Sequence, residues 1–265
     1  MKHVAICLRG ICKNTNINNK TNKKEIIDYS LCFKSIFNNI INCNKNYTFD
    51  FYLHGWIGND EDIKNIINDY NPKKYTLEKQ INFQKEFENI PKKDSIVKER
   101  YKHMKNKKNL NIDLYFQNIY SYAYSISKSI ELLDKNIEYE YIISLRYDCS
   151  INKQIKLSVL EKSSVYTDYT GGHSPLFFGD FIFIGSKENM THFKDFYNFL
   201  KTKIYHNIDY KNWTKEIILN RKNKRGRYEH GIYSNQMIIA YYIQQFIKYC
   251  NVISYVNCSI NKTTL

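Results

Sequence analysis

Residues 141–145 form an apolar run, Tyr-Ile-Ile-Ser-Leu, followed at once by Arg146, Tyr147 and Asp148. A run this rich in β-branched and aromatic residues suits a strand buried on both faces, as in the interior of a parallel sheet. Three other runs have the same form. Residues 4–8 lead into Arg9-Gly10, residues 49–54 end in His54-Gly55-Trp56, and residues 181–184 follow Gly179-Asp180. Strands covered on both faces need helices on both sides, which restricts the chain to an α/β architecture. In open α/β sheets, ligands lie beyond the carboxyl ends of the strands. Arg9, Gly10, His54, Arg146 and Asp148 are therefore candidates to face a ligand. The competing reading is a solvated Arg–Asp pair at a strand end and a structural histidine, with no shared site.

Helical patterns fill the intervals. Residues 13–24 are Asn, Lys and Thr and read as a solvated loop, and residues 25–41 carry a stripe of Tyr29, Phe33, Ile36, Phe37 and Ile40. Asn59 can cap a short helix that Asn71-Pro72 breaks, and residues 75–78 read as a third strand. The order β-α-β-α-β is the doubly wound pattern. Residues 82–110 are charged and read as a solvated segment. Residues 111–135 hold the longest helical stripe: Tyr115, Ile119, Tyr122, Ile126, Ile130 and Leu133. Ser121, Ser125 and Lys128 share another side of it. Since this helix leads straight into the 141–145 strand, Ser125 and Lys128 can reach the same crevice. Further on, residues 164–168 read as a strand ending in Asp168. Ser186 can cap a helix with a stripe of Met190, Phe193, Tyr197, Leu200 and Ile204. A helix from Ser234 to about Lys248 and an extended segment over 252–256 close the pattern.

The 265 residues suit one large α/β domain. Only three prolines and nine glycines argue against long linkers. The excess of Asn, Lys, Ile and Tyr matches an AT-rich source, as in large DNA viruses, protists or low-GC bacteria. A formal charge of +14 favours anionic partners: nucleotides, nucleic acid, acidic glycans or lipid headgroups. Basic segments 92–108 and 211–227 permit polyanion binding, but no helix-turn-helix, zinc finger or RNP1-like string accompanies them. The seven cysteines include no C-x-x-C pair, so free thiols in a reducing compartment are expected. No signal peptide or membrane-spanning stretch is read, which points to a soluble cytoplasmic protein, in the host cytoplasm if the source is viral.

Six strings in order resemble glycosyltransferases of the GT-A fold, closest to small members found in large DNA viruses and bacterial polysaccharide loci. They are Ala5-Ile6-Cys7-Leu8-Arg9-Gly10, Asp50-Phe51-Tyr52-Leu53-His54-Gly55-Trp56, Pro72-Lys73-Lys74-Tyr75, Ser125-Ile126-Ser127-Lys128, Ile142-Ile143-Ser144-Leu145-Arg146-Tyr147-Asp148 and Gly179-Asp180-Phe181-Ile182-Phe183-Ile184-Gly185-Ser186. The resemblance implies a mixed, mostly parallel sheet flanked by helices, with a nucleotide-binding half over 1–150 and a sugar- and acceptor-binding half over 151–265. It implies a nucleotide-sugar donor and a glycan or glycoprotein acceptor. Contact with nucleic acid is not expected, and peripheral contact with an anionic membrane is compatible with the charge. Leu8, Arg9 and Gly10, with His54, would hold the nucleotide, and Ser125, Lys128 and Arg146 would line its diphosphate.

Arg146-Tyr147-Asp148 stands where the family has an Asp-x-Asp motif for Mn²⁺ or Mg²⁺. With arginine in the first position, two arrangements are open. Asp148 holds the metal alone, with water and phosphates filling its shell, or Arg146 and Lys128 neutralise the diphosphate without one; His230 is a further candidate for a late metal ligand. Asp180 is the first candidate for the base that deprotonates the acceptor. Asp168, Glu229, Asn235 and Gln236 would contact sugar or acceptor. A non-catalytic member of the fold is the other reading the missing first acid allows.

Overall fold

In a computed structural model of the chain, the described residues are 1–18, 23–57, 60–88, 112–168, 179–204, 209, 212–213, 235–246, 249–253, 258–260 and 262–264. The strands in chain order are β1 (Lys2–Ile11), β2 (Lys13–Asn18), β3 (Lys23–Asp28), β4 (Tyr47–Trp56), β5 (Lys74–Glu78), β6 (Tyr139–Arg146), β7 (Cys149–Ile151), β8 (Ser164–Asp168), β9 (Ile182–Gly185), β10 (Tyr249–Ile253), β11 (Cys258–Ile260) and β12 (Lys262–Thr264). Seven of them form one sheet, in the order β10-β8-β9-β6-β1-β4-β5. β1 is parallel to both β4 and β6, and β4 to β5. β9 is antiparallel to its neighbours β6 and β8, and β10 runs parallel to β8. The expected mixed, mostly parallel α/β sheet is present, and strands from both halves of the chain share it.

β1 shows why the apolar runs are continuous. Ala5 and Cys7 face the helix Ile112–Glu131, in a core with Tyr52, Trp56, Ile142 and Phe183. Val4, Ile6 and Leu8 face the other way, in a core with Cys32, Ile36, Ile66 and Leu145. Those partners come from the helices Tyr29–Ile36 and Asp60–Tyr70 and from β6. Residues 4–8 are completely buried, so neither face can carry a charge cheaply.

Several elements differ from the sequence reading. The loop expected over 13–24 contains β2 and the start of β3, an antiparallel pair extended by β12 from the far end of the chain. The stripe expected as one helix over 25–41 begins as strand. Asp28 ends β3 and caps the helix Tyr29–Ile36 by accepting from the Ser30 amide at 2.8 Å, satisfying a donor the helix cannot pair itself. The last turn, Phe37–Ile41, widens to a π-helix. The charged segment 82–110 hides two core aromatics, Phe83 and Phe87, around the short helix Gln84–Phe87. The stripe after Ser186 is a chain of four short turns, Lys187–Thr191, His192–Asp195, Phe196–Phe199 and Leu200–Ile204. Its Met190, Phe193, Leu200 and Ile204 are nevertheless all buried. Ser186 caps it as expected. The helix near the end of the chain is described over Asn235–Phe246 and β10 over Tyr249–Ile253; the rest of the extended segment expected over 252–256 lies outside the described residues. Asn59, the loop 169–178 and nearly all of the two basic segments lie outside the described residues.

Candidate functional site

The chain places β4 and then β5 on one side of β1, and returns to lay β6 on the other. Connections leave the sheet in opposite directions there, and in open α/β sheets such a switch point places the ligand crevice at the carboxyl ends of the flanking strands, here β1 and β6. The register ends on two cations, since Arg9 is paired with Arg146. β9 runs back along β6 with Ile182 opposite Leu145. The turn before it, carrying Asp180, therefore lies at this same end, as does Asp168 at the end of β8.

Like charges on adjacent strands repel, and the carboxylates resolve this. Arg146 grips Asp148 side-on, Nε donating to Oδ1 at 2.8 Å and Nη2 to Oδ2 at 2.6 Å. Its Nη1 lies 3.5 Å from Asp180 Oδ2, and its guanidinium lies over the Phe181 ring. Burial works against the Arg146 cation, but Asp148 and Asp180 outweigh it and hold the group above its ordinary range. The Arg146 side chain is 25% exposed, so it reaches solvent while its partners Asp148 (8%) and Asp180 (13%) are more enclosed.

Arg9 is different. It is 1% exposed. Its Nε donates to Ser144 Oγ at 3.0 Å and its Nη2 to the Asp180 carbonyl at 2.7 Å. The rings of Tyr122 and Phe183 cover it, 5.0 and 5.7 Å away. Burial lowers its pKa, opposed by Tyr122 and Asp180. Asp168 is as enclosed, at 1%. Its Oδ1 accepts from the amides of Phe181 and Ile182, both at 3.2 Å. Burial raises its pKa, Asp180 adds to that, and the two amides pull it back. Tyr122 has a buried hydroxyl with no hydrogen-bond partner among the described residues. Its ring lies 5.0 Å from the Arg9 guanidinium, and the charges acting on it are Arg9, Asp180, Arg146 and Asp168, so it belongs to this cluster.

His54, Ser125 and Lys128 form a second group, one strand away. His54 is fully buried, with Nδ1 3.2 Å from Ser125 Oγ and Nε2 3.1 Å from Glu78 Oε1. A carboxylate can only accept, so Nε2 carries the proton and Nδ1 accepts from the serine. Serine, histidine and carboxylate in sequence invite a nucleophilic reading, but Ser125 is 1% exposed and closed to substrate. Lys128 pairs with Glu131 and lies over the Tyr124 ring. The charges acting on His54 are Glu78, Lys128 and Glu131, whereas those acting on Arg146 are Asp148, Cys149 and Asp180. The structure thus brings Arg9, Arg146, Asp148, Asp168 and Asp180 together, while His54, the register partner of Arg9 on β4, is held by Ser125 and Glu78.

Leu8 points into the core against Tyr29–Ile36, away from Arg9. Gly10 adopts φ 97°, a left-handed conformation open to glycine but strained for other residues. Asn235 and Gln236 open the last helix, and Glu229 and His230 lie outside the described residues. Tyr122 escaped the sequence reading because a tyrosine in a helical stripe looks like core. Ser144, the single polar residue inside an apolar run, was the visible signal that something polar packs against β6. Burial pushes the Cys7, Cys12 and Cys32 thiols up and keeps these three protonated.

The donor set around Asp148 bears on the expected Mn²⁺ or Mg²⁺. Both Asp148 oxygens already accept from a guanidinium, which stands where a divalent ion would have to compete for them. Among the described residues, no three His, Cys, Asp or Glu side chains come together to hold a metal. His230, the other expected ligand, lies outside the described residues.

Fold and cluster define an α/β protein with a cation-and-carboxylate site at the switch point of a mixed sheet. No family model and no curated protein matches the chain. Among solved structures it is similar to mouse xyloside xylosyltransferase 1 in its apo form, with 8% identity over 95% of this chain and 84% of that one and a TM-score of 0.44. A likeness at that level carries no argument about chemistry. Among the described residues, no helix is long and apolar enough to cross a membrane.

Proposed function

We propose that the chain is a glycosyltransferase that moves a sugar from a nucleoside-diphosphate donor to a hydroxyl of a glycan or glycoprotein. The observation that carries this reading is Arg146: a part-exposed guanidinium, fixed by Asp148, at the switch point of the sheet, with the Asp180 carboxylate beside it. A planar cation held in one orientation suits phosphate oxygens. It meets the developing charge on the leaving diphosphate without reorganising. Arg146 then supplies the positive charge that a metal on Asp148 would otherwise supply.

The acceptor oxygen forms its bond to the anomeric carbon of the sugar, and the bond from that carbon to the diphosphate oxygen breaks. The electron pair leaves with the nucleoside diphosphate. The acceptor proton passes to Asp180. The basic surplus of the chain draws an anionic donor toward the crevice.

Calorimetric titration with UDP, GDP, CDP and their sugars, with and without Mn²⁺, tests this. One nucleoside diphosphate is expected to bind without Mn²⁺. Arg146→Ala should weaken it by about a hundredfold, the loss typical of a desolvated charged contact. Asp180→Asn should keep the binding and lose the transfer. Binding of no nucleotide under any of these conditions would overturn the assignment, and binding only with Mn²⁺ would overturn the role given to Arg146.

A further inference from the structure

The family resemblance implies that Arg9 holds a nucleotide and that Asp168 contacts sugar or acceptor. In the structure each is 1% exposed. Both touch the same peptide group. The Asp180 carbonyl accepts from Arg9 Nη2 at 2.7 Å, and the Phe181 amide of the same peptide unit donates to Asp168 Oδ1 at 3.2 Å. A cation thus sits at the oxygen end of the 180–181 peptide dipole and an anion at its N–H end.

The next groups are held too. The Ile182 amide donates to Asp168 Oδ1 at 3.2 Å, and the Phe181 carbonyl accepts from the Arg146 amide at 3.1 Å. On the other side, the Gly179 amide donates to the Asp168 carbonyl at 3.1 Å and Thr167 Oγ1 to the Gly179 carbonyl at 3.0 Å. Each holder is itself braced. Ser144 and the rings of Tyr122 and Phe183 fix Arg9. Gly179 leaves room for Asp168, because a Cβ there would fall 2.1 Å from the carboxylate carbon.

We propose that Arg9 and Asp168 are positioning residues that clamp the 180–181 peptide between opposite charges and so aim the Asp180 side chain at the crevice beside Arg146. A peptide group held at both ends cannot flip, which fixes the backbone angles on either side of it and with them the direction of the Asp180 Cα–Cβ bond. Neither clamp residue touches a ligand. The part that Asp180 plays in transfer rests on the function proposed above; the clamp does not.

The test uses the full chain with two mild variants. Asp168→Asn keeps shape and removes the charge, and Arg9→Lys keeps the charge and loses the fork. Amide hydrogen exchange, read in the free protein, is expected to speed up by about tenfold at Phe181 and Ile182 in both variants. Ile6 and Leu53, in the centre of the sheet, should stay within about twofold. Unchanged exchange at Phe181 in either variant overturns the clamp. With the donor and acceptor found by the titrations above, kcat should fall by about tenfold while donor KM holds. Combining either variant with Asp180→Asn should add no further loss. Faster exchange at Phe181 with an unchanged kcat keeps the clamp and removes Asp180 from catalysis, so the two ideas fail separately.

Discussion

Replacing Gly179 by alanine isolates the contact on which the Asp180 turn depends. Gly179 does not lie in the left-handed region; among the described residues Gly10 is the one glycine that does. The backbone itself therefore accepts alanine, and any cost comes from space. The new Cβ would lie 2.1 Å from Asp168 Cγ and Oδ1 and 2.2 Å from Oδ2, against 3.4–4 Å for ordinary contact. The carboxylate has to retreat by roughly 1 Å, which carries it out of hydrogen-bond range of the Phe181 and Ile182 amides. Hydrogen bonds to a charged group are each worth about 1.5–3 kcal/mol. Losing two, with partial relaxation, puts the expected destabilisation at about 3–5 kcal/mol. Urea unfolding of Gly179→Ala in the native and Asp168→Ala backgrounds measures it as a double-mutant cycle. The three nearest atoms the Cβ would meet are gone in Asp168→Ala, so there the substitution should cost less than about 1 kcal/mol. An equal cost in both backgrounds would show that the carboxylate is not what glycine makes room for, and the account of the turn would fall with it.

Three further outcomes follow from the same geometry. Gly10→Ala should cost about 1–2 kcal/mol from its φ of 97° alone, because nothing lies within 4 Å of the added carbon; a matching loss in urea, with Gly10→Asn milder, checks it. Burial lowers the His54 pKa against the pull of Glu78, so the folded state keeps the ring neutral while the unfolded state protonates near about pH 6.5. Stability from this site is complete above that value and is lost as pH falls from it toward the lower folded-state pKa. The difference in unfolding free energy between the wild type and His54→Gln should therefore shrink from about pH 7.5 down to pH 5, and a constant difference would refute the assignment of a neutral buried ring. Tyr122→Phe removes a buried hydroxyl that has no described partner. Stability should hold or rise by up to about 1 kcal/mol, while a drop of more than about 2 kcal/mol would reveal a hydrogen bond that this geometry does not contain.

Much of the frame was legible from residue patterns. The runs at 4–8, 49–54 and 141–145 lie in strands of the main sheet and 181–184 leads into another, because a strand covered on both faces can be apolar at nearly every position. The stripe from Ile119 to Ile130 lies on the buried side of Ile112–Glu131 for the corresponding reason on a helix. The Arg146–Asp148 pair is local, two residues apart, and the sequence placed it at a strand end without help from the fold.

What the residues could not say is which strand-end groups point inward. Arg9 and Arg146 look equivalent in the sequence and are partners in the sheet. One is sealed by the turn before β9 and by Tyr122, elements far from it in the chain, while the other stays at the surface. The polar segment 13–18 lacks any strand pattern, and it pairs because β3 lies beside it, with β12 on the far edge of β3. Asp168, Gly179 and the 180–181 peptide likewise mean nothing to one another until β8 and β9 pair. Periodicity records how one element meets the core, so it determined the strands and helices. The site is made of contacts between elements, and only the tertiary structure decided that Arg146 faces the crevice while Arg9 and Asp168 hold the turn behind it.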